Sequence, residues 1–590
     1  MAAGRTGTAM HKRDFAGKER LLPLSLLALL IGAISTLGAM LLLAAIRFFT
    51  NLFFFHTLSL ASRSPADHRL GVWVIVVPAL GGAIVGLLAR YGSEKIRGHG
   101  IPEALEAILF GKSRMSPKVA VLKPLSSGIV IGSGGPFGAE GPIIMTGGAA
   151  ASLLAQAFHL SSAERKALLV AGACAGMTAV FGTPLAAVLL AVELLLFELR
   201  PRSLLPVAIA CAVAGFLRPA WADAGPLFPL ATGAPAPLAA VSCVAAGLAS
   251  GLLASAMTGL LYRVEDAFAR LPLHWMTWPA LGGLVVGLGG LIEPRVLGVG
   301  YDVIADLLGN HLPLAIVATL LVVKAIVWVV ALGSGTSGGV LAPLLMIGAG
   351  LGCALGPWLP GGEVKLWALV CMAATLGGTM RAPLTAVVFA FGLTHDANAL
   401  LPTLLASAVA YGFTVVVMPR SILTEKIARR GRHVYREYGL DPLERHFIDE
   451  VMSRDVIAIP GELALGEVRA RYFGASQAHR AYPVVAEGRL LGVVDRNVLR
   501  SLADADDRAI GELLPRATPP VALAHETCRA VASRMAAFDL ACLAVVDARE
   551  TLRLIGFVSR SDLLKPAKQL YEEEFQRERG FRRSRPTASV

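Results

Sequence analysis

The sequence predicts an all-α polytopic membrane protein followed by a separate α/β domain, and three observations predict it. Of the 590 residues, 55% are hydrophobic and only 16% charged, and the mean hydropathy of +0.64 lies well above that of a soluble chain. Apolar runs recur from residue 21 to about 418, each approaching the ~17–25 residues that a bilayer core of about 30 Å requires. After Gly431 charges become frequent, and the apolar residues shorten into strand-like and amphipathic patches.

The first run, 21–46, follows Arg5, Lys12, Arg13, Lys18 and Arg20. It is too long for a signal-peptide core of about 7–15 residues, so it reads as an anchoring helix behind a cytoplasmic segment 1–20. Lys426, Arg429, Arg430 and Arg432 follow the last run and again mark the cytoplasmic side, which puts both termini inside. These flanks and the arginines between 577 and 585 supply much of the formal net charge of +12. Juxtamembrane cations attract anionic lipid, so the charge requires no nucleic acid. Seven cysteines without a CxxC or a histidine companion argue against a disulfide framework and a metal site.

Many runs are broken by Gly and Pro, and non-helical backbone is tolerated at membrane depth only where it is buried in protein or lines a polar cavity. Two breaks are copies of each other. "GSGGPFGAEGP" (132–142) aligns with "GSGTSGGVLAP" (333–343) at a shift of 201 residues, with Glu140 in the first copy facing Leu341 in the second. "TPLAAVLLAVEL" (183–194) aligns with "APLTAVVFAFGL" (382–393) at a shift of 199. Two matches at nearly one offset indicate an internal duplication, with repeats of about 21–220 and 236–431, and such paired interruptions point to a binding site between the halves. "GHGIPE", "GAEGP" and "GGVLAP" share one design: glycine at the break, then proline near the first helical turn, where a missing N–H costs nothing. A helix N-terminus carries free amide donors and roughly half a positive charge. Three of them aimed at one point make an anion site without a lysine or arginine. Glu140 then reads as a tethered anion that competes with the ligand and withdraws when protonated, or as a capping acid of the first helical turn.

These residues resemble the chloride channel (CLC) family of chloride channels and chloride/proton exchangers. "GHGIP" (98–102) is similar to the family's GSGIP, "GAEGP" to its G[KR]EGP, "GGVLAP" to its GxFxP, and "SILTEKIARRG" (421–431) to its last helix. The resemblance, which covers 21–431, implies a homodimer of two-repeat subunits in which the repeats are inverted and built of broken, tilted helices, in a bacterial-type plasma membrane. It implies that anions meet Gly98, His99, Gly100, Ile101, Pro102, Gly138, Ala139, Gly141, Pro142, Val340 and Leu341, with Glu140 as the gate and no catalytic residue. Four departures stand out. His99 replaces a serine whose hydroxyl faces the anion, and its ring either donates to the anion or points elsewhere. Ala139 and Leu341 replace side chains beside the gate without removing a backbone donor. Leu423 stands where many relatives carry a tyrosine, leaving the inner end of the pathway apolar or differently gated. Leu194 stands where many exchangers carry an internal proton acceptor, so Glu193 or Glu198 either substitutes for that acid or is a structural acid near a helix end.

After a linker at 432–445, the segments 446–503 and 510–566 each read as strand, helix, strand, strand, helix. They resemble a tandem CBS pair. That likeness implies an adenine-nucleotide sensor, with Ser559 and Asp562 spaced to hold a ribose, or a purely structural pair; no cofactor is otherwise required. The basic tail, 567–590, reads as disordered. The functional expectation is transport of chloride and other small anions, channel-like or uncoupled because of Leu194. The alternatives are a chloride/proton antiporter with another proton route and, further off, a membrane-anchored nucleotide sensor. No enzyme motif stands in the apolar region.

Overall fold

The computed structural model describes residues 21–432, 434, 441–474, 479–502, 507–515 and 518–566. The N-terminal segment 1–20, the tail 567–590 and most of the linker lie outside the described residues. The rest falls into two compact units, one ending at residue 437 and one beginning at 438.

The first unit is all helix. Its first half runs α1 (Leu21–Phe55), α2 (Val76–Tyr91), α3 (Ile101–Leu109), α4 (Pro117–Gly132), α5 (Glu140–Gln156), α6 (Ser162–Phe181), α7 (Pro184–Leu190) and α8 (Pro201–Leu217). The second runs α9 (Ala239–Ala269), α10 (Trp278–Ile292), α11 (Tyr301–Leu308), α12 (Leu314–Gly333), α13 (Leu341–Leu355), α14 (Val364–Met380), α15 (Pro383–Thr394) and α16 (Leu400–Val417), with α17 (Ile422–Arg429) closing the unit. Eight helices are thus followed by eight of matching order. Among the described residues, eight helical segments are long and apolar enough to cross a membrane. The apolar window of the segment containing α13 is 72% buried, against 33–44% for the other seven. A helix apolar on every side must be enclosed by protein or lipid, and here the broken helix is enclosed by protein.

Contacts between the halves are reciprocal, as a two-fold relation demands. "PALGG" occurs at 78–82 in α2 and again at 279–283 in α10. A Cβ on Gly82 would lie 2.2 Å from the Pro279 carbonyl oxygen, and one on Gly283 would lie 2.3 Å from that of Pro78. Only glycine allows so close a helix crossing, the device by which membrane helices gain dispersion contact where lipid offers no hydrophobic drive. Near the centre, Gly138 and Gly339, equivalent residues of the two halves, form an antiparallel bridge in which Gly339 N–H donates to the Gly138 carbonyl at 3.0 Å.

The second unit holds two three-stranded sheets. After α18 (Pro442–Arg445) and α19 (Ile448–Val451), the first sheet comprises β1 (Ile459–Pro460), β2 (Ala481–Ala486) and β3 (Arg489–Asp495), with α20 (Leu465–Tyr472) and α21 (Arg496–Ser501). After α22 (Ile510–Leu513), the second comprises β4 (Val521–Leu523), β5 (Cys542–Val546) and β6 (Leu554–Ser559), with α23 (Cys528–Ala537) between β4 and β5. In each sheet the first pair is parallel and the second antiparallel. The first copy follows the expected strand and helix order, and in the second β6 is followed by a turn, Asp562–Leu564, and helical residues 565–566, where the described part ends.

The copies exchange their leading segments. Ile448 N–H donates to the Glu526 carbonyl and Ser453 pairs with Phe557, so 446–453 packs on the second sheet. Ile448, Val451 and Met452 share a core with Ala522, Val531 and Val545, whereas Ile510 and Leu514 share one with Ile459, Leu465 and Val484. The segment that opens each copy therefore stabilises the other. Ile448→Ala is expected to remove about 2–4 kcal/mol, read as faster amide hydrogen exchange in β4–β6. Ile510→Ala should instead accelerate exchange in β2 and β3.

Candidate functional site

Three helix starts converge on the Gly138–Gly339 bridge. A Cβ on Gly141, at the start of α5, would fall 1.8 Å from the His99 carbonyl oxygen and 3.4 Å from Cα of Gly339. Gly100, at φ +91°, is the N-cap of α3, and a Cβ there would lie 2.7 Å from the Gly141 carbonyl oxygen. The breaks before α3, α5 and α13 therefore touch one another backbone to backbone. Gly98, His99, Gly100, Ile101, Pro102, Gly138, Ala139, Gly141, Pro142, Val340 and Leu341 are all buried there.

Glu140 is the acid at this meeting point, and it is fully buried. Its Oε1 accepts a hydrogen bond from the Ala342 amide at 3.1 Å, in the first turn of α13. The carboxylate thus occupies the N-terminus of the helix contributed by the opposite repeat. The donor is one residue beyond the Val340–Leu341 pair that the family likeness implied, within the four leading N–H groups that have no intrahelical acceptor. Oε2 is buried without a partner among the described residues. Its space exists because both bridge residues are glycine. A Cβ on Gly138 would lie 1.9 Å from Oε2, and one on Gly339 would lie 2.5 Å from it.

His99 is 2% exposed, and neither ring nitrogen has a partner among the described residues. Its neighbour Gly100 donates its N–H to Glu103 Oε2 at 3.0 Å, which fixes the start of α3. Leu423 is fully buried on α17. The chain does place a tyrosine close by: the Tyr262 hydroxyl of α9 donates to the Ile422 carbonyl. That hydroxyl anchors α17 and supplies no donor at Leu423. A cavity of about 730 Å³ is lined by charged side chains that include Glu103, Lys426 and Arg430.

Leu194 is buried, in a wider helical turn (Ala191–Leu196) that continues α7. Glu193 in the same turn caps α15 of the opposite repeat. Its carboxylate accepts from Leu384 N at 3.3 Å, Thr385 N at 2.7 Å and Thr385 Oγ at 2.6 Å. A carboxylate so bound is positioned by helix geometry, which is the structural alternative for this acid.

Sequence reading missed two lysines that repay comparison. Lys123 donates to the Ile96 and Gly98 carbonyls, both at 2.8 Å, and Lys324 donates to those of Val296 and Gly298 at 2.8 and 3.2 Å. Both are fully buried. Each clamps the loop before a broken helix, α3 in one half and α11 in the other. The signal was available, since the lysines stand 201 residues apart and "GHG" (98–100) aligns with "GVG" (298–300).

In the second unit, Ser559 donates from both its N–H and its hydroxyl to Asp562 Oδ2, at 2.9 and 2.6 Å. Lys565 stands 2.7 Å from Oδ1. Burial opposes ionisation of Asp562, but Lys565 and Ser559 outweigh it and hold the carboxyl below its ordinary range. In the first copy Asp495 is committed to capping α21 through Asn497 N and Val498 N, both at 2.9 Å.

Residues 81–415 match the family model described as voltage gated chloride channel, and 448–503 and 510–567 each match the CBS domain. The chain belongs to the voltage-gated chloride channel family. Among its relatives, the putative chloride channel protein ClcB-like of Ralstonia nicotianae is 30% identical over 370 residues, covering 60% of this chain and 85% of that protein. The voltage-gated ClC-type chloride channel ClcB of Salmonella typhimurium is 32% identical over 368 residues, covering 60% and 86%. A solved slow cyanobacterial Cl−/H+ antiporter superposes with a TM-score of 0.62 at 21% identity, over 69% of this chain and 97% of that one. A eukaryotic CLC transporter gives 0.57 at 18%, over 92% and 98%. These two structures share the fold. Family membership places the chain among channels and transporters rather than enzymes.

The paired lysines give a test. Lys123→Met and Lys324→Met each strand two buried carbonyls, at roughly 1–3 kcal/mol per group. Both variants are expected to unfold at lower temperature in detergent, and by similar amounts because the geometry is repeated. A loss confined to one would mean that the second clamp is dispensable.

Proposed function

We propose that the protein moves small inorganic anions, chloride first, across a membrane along the line where α3, α5 and α13 begin, with Glu140 as the gate. One observation carries this reading: a buried carboxylate sits on the Ala342 amide of the opposite repeat, with its second oxygen unpartnered. Free amides and the helix dipole favour a negative charge at that point. The tethered carboxylate and a diffusing anion therefore compete for one place. Protonation removes the charge that holds the carboxylate there, and the anion then takes its place.

The channel-like or uncoupled mode is preferred over proton-coupled exchange. Leu194 cannot take up a proton, and Glu193 is bound to three donors at the start of α15. The names of the two ClcB relatives favour chloride as the substrate. We further propose a homodimer with both termini cytoplasmic, the basic stretch 426–432 marking that face. Ser559 and Asp562 are the proposed ribose contact for an adenine nucleotide, at one position because Asp495 is occupied as a cap.

Reconstituted protein tests the transport reading. Under an imposed chloride gradient, chloride flux without uphill proton movement is expected. The flux should rise as pH falls, since protonation opens the gate. Glu140→Ala should keep the flux and lose most of this pH dependence. Chloride-driven uphill proton movement would replace uncoupled transport with exchange, and the absence of flux with every halide and nitrate would overturn the reading.

A further inference from the structure

The cavity on the basic face is lined by seven basic side chains and four carboxylates. Several of the cations are claimed. Arg97 pairs with Glu94 at 3.0 Å, Arg430 with Glu103 at 3.0 Å and Glu106 at 2.5 Å, Arg432 with Glu106 at 2.8 Å, and Arg429 with Asp266 at 2.5 Å. Lys426 of α17 is held differently. Its ion-pair partner, Glu103 Oε1, is 4.0 Å away, beyond hydrogen-bond reach. Glu103 is already engaged by Arg430 and by the Gly100 N–H.

The Lys426 side chain is 15% exposed. Its ammonium stands 2.7 Å from where a Cβ on Gly98 would lie, so it sits directly over the break that opens α3. His99 is the next residue in the chain. Both ring nitrogens of this side chain are buried and unpartnered among the described residues. Among the described residues, an ammonium with no hydrogen-bonded acceptor therefore lines the cavity and lies over the backbone that opens α3, one residue from a side chain whose two ring nitrogens are unpartnered. An anion would supply the acceptor that this ammonium lacks. Leu423, three residues earlier on α17, supplies no donor.

We propose that Lys426 is an anion-recruiting residue of this chain. A monovalent inorganic anion arriving from the cavity is held by the Lys426 ammonium over Gly98 before it moves on to the helix N-termini. The inference rests on the transport reading above and adds a side-chain cation to a pathway otherwise built of backbone amides. Glu103 keeps the ammonium in place at a distance that leaves its donors available to the ligand.

The test uses the full-length protein, with chloride as the probe, in two measurements: equilibrium chloride binding by calorimetry in detergent, and chloride flux from liposomes as a function of chloride concentration. Lys426→Met is expected to weaken binding and raise the half-saturating chloride concentration by about five- to tenfold, with the maximal flux within about twofold of wild type. Lys426→Arg should stay close to wild type. The deficit should shrink when an impermeant salt raises the ionic strength, because the screening length falls from about 10 Å at 0.1 M to about 3 Å at 1 M. Lys426→Gln serves as a second neutral variant should the Met form be polydisperse. Unchanged chloride dependence in the neutral variants overturns the inference, as does a deficit that Arg shares and salt leaves unaltered, since that is a packing effect. Wild-type protein without flux defeats the transport reading itself, whereas normal wild-type flux with a normal Met variant defeats only the role of Lys426.

Discussion

The antiparallel pairing of Gly138 with Gly339 is the contact on which the rest of the membrane unit depends. Broken helices leave amides unsatisfied, and hydrocarbon cannot satisfy them. The chain solves this by setting each repeat's break against the other's. One repeat supplies the acid and the other the amide that receives it, as Glu140 and Ala342 show. Glycine at both bridge positions is the condition for that exchange, because a methyl group at either would occupy the space of the carboxylate.

The same reciprocity runs outward from the centre. Gly82 and Gly283 admit each other's neighbouring carbonyls, and Lys123 and Lys324 clamp equivalent loops in the two halves. Buried lysine ammonium groups are costly in a membrane unless they are paired or bonded to carbonyls, and each of these is bonded to two. The symmetry is broken at two acids. Glu140 has Leu341 opposite it, and Glu193 caps α15 while Gly392 stands at the matching place in the second repeat.

The second unit applies an exchange of another kind. Each CBS copy completes its partner's core with a leading segment, Ile448 on one side and Ile510 on the other. Removing either copy would expose apolar surface in the survivor, so the pair is a single folding unit despite its two sheets.

Much of this was legible in the sequence because it is written in local pattern. Hydropathy marks the membrane unit, glycine and proline mark the helix breaks, and the 201-residue shift marks the duplication. An acid inside "GAEGP" stands out from its apolar surroundings, as a gate or as a cap of the first helical turn. Two repeat signals, "PALGG" and the paired lysines, were equally present and are recovered only by extending the same alignment. The tertiary structure alone decided which amide Glu140 meets, that Glu193 closes a helix of the other half, that Lys426 stands over Gly98, and that the CBS copies trade their leading segments. Each of these is a contact between residues far apart in the chain. Composition and periodicity fix which face of a helix is buried, whereas the partner that buries it depends on how the two halves dock.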